Sequence, residues 1–154
     1  MRKLWVFDID NTLANVHHRW DHLRNGKKEW DAFFSKQHLD EPYQPVLDVL
    51  HALASDRVGD EIIVVTGRDE RFREVSLEWL NRHVEWFSND KLYMRPAGNR
   101  EDDDTLKVKI IKNWLQRHPN YKMGGIFEDR HRIIDAFRNE GWYTFECNQE
   151  RLEY

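Results

Sequence analysis

Four groups of polar residues stand far apart in the sequence, yet their side chains could do chemistry together. They are Asp8-Ile9-Asp10-Asn11-Thr12, Thr66-Gly67-Arg68, Lys107 and Glu128-Asp129. Two carboxylates spaced two residues apart can both face one anionic group when a strand ends between them. The second group offers a hydroxyl, a flexible backbone amide and a guanidinium, whose fork fits phosphate oxygens. These residue types indicate phosphate chemistry, provided that the fold brings the four groups together.

Each group also has a simpler explanation. Asp8 and Asp10 could end a strand in a solvated turn, because short acidic motifs arise by chance. Lys107 could be an ordinary solvated lysine on a helix, since Lys109 lies two residues away. The chemical interpretation is favoured because every group falls at the end of a predicted strand or at the start of a predicted helix.

The predicted strands and helices alternate along the chain. Residues 3–8, KLWVFD, form a run of consecutive apolar residues that ends in an acid, as in a central strand buried on both faces. Further strands are predicted at 61–67, 91–95, 124–129 and 142–147. The spacing of apolar residues predicts helices at 46–54, 69–84, 108–115 and 133–137.

This alternation predicts an α/β fold, with a Rossmann-like, mainly parallel sheet flanked by helices. Right-handed crossovers would place the carboxyl ends of the strands on one rim, where such sheets bind ligands. We therefore expect one domain over residues 1–154, with all four polar groups at that rim.

Residues 14–42 separate the first strand from the next long helix and are predicted to form a small helical cap. Trp30, Phe33 and Phe34 have the spacing of one helical face, which favours packing against the main domain. The alternative is that these aromatics, together with Trp20, stack on nucleobases.

Histidines and a cysteine offer weaker signals. His18 and His22 are four residues apart, but no matching ligands support a zinc site, so we expect these two and His17 to line the cap or face solvent. Cys147 is the one cysteine in the chain, and we expect it to be buried in the last strand without a nucleophilic role.

Composition limits the class of partner. A net charge of −4 argues against a domain whose whole surface coats nucleic acid, but it allows a local basic groove. No apolar stretch is long enough for a signal peptide or a membrane span, which leads us to expect a cytoplasmic protein of a bacterial or phage-infected cell. Nothing in the sequence indicates a partner protein or an oligomeric state.

The four groups match, in order and spacing, the four motifs of the haloacid dehalogenase superfamily, and the chain resembles that superfamily over nearly its whole length. More specifically, it resembles the 3′-phosphatase domain of phage polynucleotide kinase/phosphatase and its stand-alone relatives. That closer resemblance rests on the segments WDAFF at 30–34, VTGR at 65–68, LYMRP at 92–96 and EDR at 128–130, and on Arg19 and Asp103. No G-x-x-x-x-G-K-[ST] loop is present, so a kinase activity is not expected from this sequence.

The resemblance implies a role for each candidate residue. Asp8 would be the nucleophile, Asp10 the general acid and base, Thr66 a ligand of a phosphoryl oxygen, and Lys107 a neutralising cation supported by Asp103. Mg²⁺ would be held by Asp8, Asp10 through its backbone carbonyl, Asp129 and Glu128, the last directly or through water. Substrate phosphate would be bound by Arg68, Arg19 and Gly67, although a surface position for Arg19 is an equal alternative.

The implied activity is Mg²⁺-dependent removal of 3′-phosphates from nucleic-acid ends or nucleotides through an aspartyl-phosphate. One alternative keeps the chemistry but changes the substrate, giving a 5′-nucleotidase that acts on free nucleoside monophosphates. A second alternative is a non-catalytic nucleic-acid or protein-binding module on a phosphatase fold. The presence of every expected catalytic side chain argues against the second.

Overall fold

The structure is a computed structural model that describes residues 1–153. Its strands are β1 (Arg2–Phe7), β2 (Ala14–Asn15), β3 (Glu41–Pro42), β4 (Glu61–Asp69), β5 (Leu92–Arg95), β6 (Tyr121–Glu128) and β7 (Thr144–Glu146). Its α-helices are α1 (Trp30–Ser35), α2 (Gln44–Asp56), α3 (Arg73–His83), α4 (Asp103–Arg117) and α5 (His131–Asn139).

A five-stranded parallel sheet in the order β5-β4-β1-β6-β7 forms the centre of the molecule. Strand β1 lies in the middle, with Phe7 aligned with Val64 of β4 on one side and Phe127 of β6 on the other. Leu4, Val6 and Phe7 are at most 1% exposed, as expected for a strand covered on both faces. The predicted α/β fold and parallel sheet are confirmed.

Two apolar cores pack on opposite faces of this sheet because side chains alternate along each strand. One core joins Phe7 of β1 to Leu50 of α2 and Trp79 of α3. The other joins Val6 of β1 to residues of α4 and α5, including Phe137. The three-layer arrangement leaves the carboxyl edge of the sheet as the place where polar side chains gather.

The boundaries of several elements differ from the prediction. Residues 69–84 do not form one continuous helix: a 3₁₀ turn at Glu70–Phe72 precedes α3. Strand β6 begins earlier than expected, at Tyr121. Cys147 lies after the end of β7 and is only partly buried, so its placement inside the last strand is wrong. Burial and nearby carboxylates raise the pKa of its thiol to about 12, which keeps it protonated.

The segment 14–42 forms a compact insertion closed at its base by the antiparallel pair β2–β3. It contains more 3₁₀ structure than the predicted helical cap, at His17–His22, Arg24–Gly26 and Gln37–Leu39, because the α-helix α1 has only six residues. Phe33 and Phe34 of α1 are buried, and the Phe34 ring lies 5.4 Å from that of Phe72. Their predicted packing is confirmed, whereas Trp30 remains 38% exposed.

Among the helices in residues 1–153, none combines the length and apolar character needed to cross a lipid bilayer.

Candidate active site

The parallel sheet brings the predicted groups to one edge. Asp8 follows β1 directly, and its backbone N–H donates to the carbonyl of Phe127 in β6 at 3.0 Å. The chain then turns sharply, with Asn11 in the left-handed region at φ 61° and the amides of Thr12, Leu13 and Ala14 all donating to the Ile9 carbonyl. This tight loop holds the carboxyl groups of Asp8 and Asp10 at the carboxyl end of the central strand.

Lys107 joins two of the predicted acids. Its Nζ lies 2.8 Å from Oδ1 of Asp8 and 2.6 Å from Oε2 of Glu128, and the lysine is only 3% exposed. Burial alone would lower the pKa of Lys107, but the two carboxylates raise it well above its usual value. Lys107 is therefore a buried permanent cation, which excludes the simpler interpretation of a solvated helix lysine.

Asp8 carries less negative charge than an ordinary aspartate. Burial, followed by repulsion from Glu128, raises its pKa to about 7 in spite of Lys107. Its Oδ2 also accepts a hydrogen bond from the Thr12 hydroxyl at 3.3 Å. The pKa of Asp129 is likewise raised well above its usual range, first by burial and then by Glu128 and Asp8. The cluster therefore lacks positive charge for full ionisation.

The donor set fits a hard divalent cation. Asp8, Glu128 and Asp129 each present an oxygen, and these oxygens lie within 4.8 Å of one another. Asn11 orients the last of them by donating from Nδ2 to Oδ2 of Asp129 at 3.2 Å. Three buried carboxylates around one lysine are the ligands that Mg²⁺ or Ca²⁺ prefers. Within residues 1–153 this is the one group of three or more potential ligands, so His17, His18 and His22 form no such centre.

Asp10 faces away from this cluster towards two buried arginines. Arg68 binds it through Nη2 at 2.7 Å and Nε at 3.1 Å, and Arg19 through Nη2 at 2.8 Å. Burial alone would raise the pKa of Asp10, but Arg68 and then Arg19 lower it well below its usual range. Asp10 is thus held as a carboxylate in this arrangement.

The remaining donors of the two arginines are also engaged. Arg19 binds Asp40 through Nε at 2.8 Å and Nη2 at 2.5 Å, and donates to the Phe33 carbonyl at 2.9 Å. Arg68 donates through Nη1 to Gln37 at 2.6 Å and to Ser76 at 3.0 Å.

Both guanidinium groups lie in the interior. Arg19 and Arg68 are each 1% exposed, so the alternative of a surface position for Arg19 is wrong. Sequence reasoning missed Asp40 and Gln37, which belong to the insertion, because no motif marks them.

Thr66, Gly67 and Asp103 lie beside these groups. The buried Thr66 hydroxyl accepts a hydrogen bond from the Arg68 amide at 3.2 Å. A Cβ at position 67 would lie 2.6 Å from Oδ1 of Asp103, so only glycine allows this close approach. The carboxylate of Asp103 binds Arg95 and Arg130 rather than Lys107, which locates its support at the start of α4.

A cleft of about 690 Å³ opens above this site. Asp8, Asp10, Lys107 and Glu128 line its floor, together with Gly67 and Arg68. Its walls come from the insertion and from residues 96–102, the loop between β5 and α4. A cleft of this size can accept a ligand as large as a nucleotide.

Comparison with known proteins relates this arrangement to phosphatases. Residues 2–151 match the model of the polynucleotide kinase PNKP phosphatase domain. No curated protein matches the sequence significantly.

Among solved structures, the chain aligns over its full length with a chain of the Pnkp1/Rnl/Hen1 complex, at 23% identity and a TM-score of 0.75. It spans only 46% of that chain. The class C acid phosphatase from Bacillus anthracis aligns with 99% of this chain and 69% of its own, at 14% identity and a TM-score of 0.67. A haloacid dehalogenase-like hydrolase from Streptococcus pneumoniae aligns with 94% of this chain and 84% of its own, at 14% identity and a TM-score of 0.63.

The structural likenesses support the fold, and the family model covers nearly the whole sequence. The chain therefore belongs to the family of PNKP phosphatase domains, within the haloacid dehalogenase superfamily.

Proposed function

We propose that this protein is a Mg²⁺-dependent phosphomonoesterase that removes 3′-phosphates from nucleic-acid ends through an aspartyl-phosphate on Asp8. The observation that carries the proposal is the position of Asp8 at the floor of the cleft, between Lys107 and the carboxylates of Glu128 and Asp129. Membership of the PNKP phosphatase family supports the polynucleotide substrate. We further propose that residues 14–42 act as a cap on one phosphatase domain.

Asp8, Glu128 and Asp129 would hold the metal. Bound there, Mg²⁺ would favour the ionised form of these carboxylates and counter the negative charge of the phosphate. Lys107 supplies a second, permanent positive charge, 2.8 Å from the nucleophilic carboxylate. Together these charges offset the repulsion between Asp8 and an anionic phosphoryl group.

Two displacements at phosphorus complete the reaction. A carboxylate oxygen of Asp8 attacks the phosphorus, and the ester P–O bond breaks as Asp10 gives a proton to the leaving oxygen. Asp10 then takes a proton from water, whose oxygen attacks the phosphorus of the aspartyl-phosphate. That second step releases inorganic phosphate and restores the Asp8 carboxylate.

Asp10 needs a proton for the first displacement, yet Arg68 and Arg19 hold it ionised. An incoming phosphate competes with Asp10 for the same guanidinium groups. As their contacts to Asp10 weaken, the pKa of Asp10 rises and the carboxyl can accept the proton that it later delivers. The arginines would thus link the binding of phosphate to the readiness of the acid.

A second candidate function is hydrolysis of free nucleoside 5′-monophosphates, because the volume of the cleft also accommodates a whole mononucleotide. Partner proteins belong to this proposal only through a relative, since the similar chain of the Pnkp1/Rnl/Hen1 complex is more than twice as long as this one.

Phosphate release from a panel of substrates tests the proposal. The panel contains a 3′-phosphorylated oligonucleotide, nucleoside 3′- and 5′-monophosphates and an aryl phosphate, each with Mg²⁺ and with a chelator. Asp8→Asn removes the nucleophile, and Asp135→Asn serves as an exposed-carboxylate control. We expect Mg²⁺-dependent release from the 3′-phosphates that only the first variant abolishes, whereas preference for 5′-monophosphates would favour the second candidate.

A further inference from the structure

An indole ring stands at the wall of the cleft with much of its surface uncovered. Trp30 begins α1 and is 38% exposed, whereas Phe33 and Phe34 of the same helix are 1% and 9% exposed. The Phe34 ring lies 6.1 Å from that of Trp30 at an interplanar angle of 23°, and the Phe33 ring meets it edge-on at 6.1 Å. The indole is therefore supported by packed rings while it lines the cleft, which suits it to stack on a planar ligand.

Two basic residues of the cleft differ from the others in having no ion-pair partner. Six of the eight lysine and arginine side chains that line it form ion pairs, namely Arg68, Arg71, Arg95, Lys107, Arg130 and Arg132. Across residues 1–153, Lys28 and Arg100 form none, and both are exposed. Their charge is available to an anionic ligand.

Lys28 and Arg100 belong to different walls of the cleft. Lys28 lies in the insertion, two residues before Trp30, and Arg100 lies in the loop 96–102. Arg95 braces that loop on both sides of Arg100, through Nη1 to the Asn99 side chain at 2.9 Å and to the Glu101 carbonyl at 2.7 Å. A braced loop loses little conformational entropy when it binds a ligand.

We propose that Trp30, Lys28 and Arg100 bind the single-stranded nucleotides that adjoin the phosphate being removed. Trp30 stacks on a base, and Lys28 and Arg100 contact internucleotide phosphates. This inference rests on the proposed function and extends it, because it makes a single-stranded polynucleotide, rather than a mononucleotide or a duplex end, the preferred substrate. A base inside a duplex is already stacked and paired, so reaching Trp30 would require its release.

The test compares kcat/KM for three substrates: a single-stranded 3′-phosphorylated hexanucleotide, the same strand in a blunt duplex, and a nucleoside 3′-monophosphate. The variants are Trp30→Ala, Lys28→Gln and Arg100→Gln. Trp86→Ala and Lys122→Gln are matched controls, because both residues are exposed but lie outside the cleft.

We expect Trp30→Ala to lower kcat/KM for the single strand about tenfold, mainly through KM, since one stacked base contributes this order of binding. Turnover of the nucleoside 3′-monophosphate should change less than twofold, which also shows that the variant folds. Trp30→Phe should recover most of the loss. For the two cations, the slope of log(kcat/KM) against log[salt] should fall from roughly −1.4 towards zero in the double variant, at ~0.7 per phosphate of a single strand.

Equal losses on the hexanucleotide and the mononucleotide would overturn the inference, and so would equal turnover of the single strand and the duplex. Binding of a labelled single-stranded oligonucleotide, followed by fluorescence anisotropy, separates this inference from the proposed function. Binding that depends on Trp30 in a protein without phosphatase activity would support the single-strand site and reject the proposed function. Phosphatase activity with oligonucleotide binding independent of Trp30 would reject the site alone.

Discussion

Replacing Lys107 by methionine should destabilise the protein strongly, although the two side chains have similar length and volume. Nζ forms ion pairs of 2.8 and 2.6 Å with Asp8 and Glu128, and the side chains of these partners are 7% and 1% exposed. Removal of one member of such a buried set leaves uncompensated charge and costs about 3–5 kcal/mol of unfolding free energy. For a chain of this size the midpoint of thermal unfolding should fall by about 10 °C.

The matched control is Lys109→Met on the same helix. Lys109 is 64% exposed in its side chain and pairs with Glu101 at the surface, so its loss should change the unfolding free energy by less than about 1 kcal/mol. Circular dichroism in chelator at pH 8 measures both variants against the wild type. Equal stability of Lys107→Met and wild type under these conditions would refute the reasoning.

The pH dependence of the Lys107→Met deficit provides a further check. The folded-state pKa of Asp8 is raised to about 7 by burial and Glu128, and it rises further when Lys107 no longer lowers it. A carboxyl with a raised folded pKa binds more protons folded than unfolded, so stability increases as the pH falls from above that pKa towards the unfolded value. The deficit should therefore be largest at pH 8 and shrink towards pH 5, and a deficit that grows on acidification would contradict this electrostatic explanation.

Other parts of the site lead to separate expectations. Arg68→Gln should raise the pKa of Asp10, since Arg68 is the main group that lowers it, and carbon-13 NMR of the carboxyl groups would detect this; an unchanged pKa would contradict the clamp. Gly67→Ala should destabilise the protein by about 1–3 kcal/mol, because the new methyl would lie 2.6 Å from Oδ1 of Asp103, and Gly67→Ala/Asp103→Ser should recover part of this in chemical denaturation. Mg²⁺ at about a hundred times its Kd should stabilise the wild type by about 2.7 kcal/mol, and Asp129→Asn should abolish most of that gain in thermal scans; an equal gain in the variant would place the metal elsewhere.

The sequence supports a detailed prediction wherever one principle decides the outcome. Consecutive apolar residues before Asp8 mark a central strand, and parallel strands place their carboxyl ends together. For that reason Asp8, Lys107, Glu128 and Asp129 could be expected to meet before any coordinates were available, and they do.

What the sequence does not reveal depends on how the insertion packs. Arg19 is buried because Asp40, Asp10 and the Phe33 carbonyl surround its guanidinium, and no spacing rule links these residues. Trp30 shares its helical face with two buried phenylalanines but lies at the rim of the cleft, so periodicity alone assigns it to the core. Local pattern fixes which elements form, whereas these contacts require the tertiary arrangement.

The central claim is that Asp8 carries the phosphoryl group during turnover. Rapid acid quench during turnover with Mg²⁺, followed by borohydride reduction and peptide mass spectrometry, would convert an aspartyl-phosphate at Asp8 into homoserine. Our account predicts this modification at position 8 in the wild type, and no phosphatase activity in a folded Asp8→Asn variant. Phosphate release without any modification at Asp8, together with undiminished turnover by Asp8→Asn after deamidation has been excluded, would contradict it.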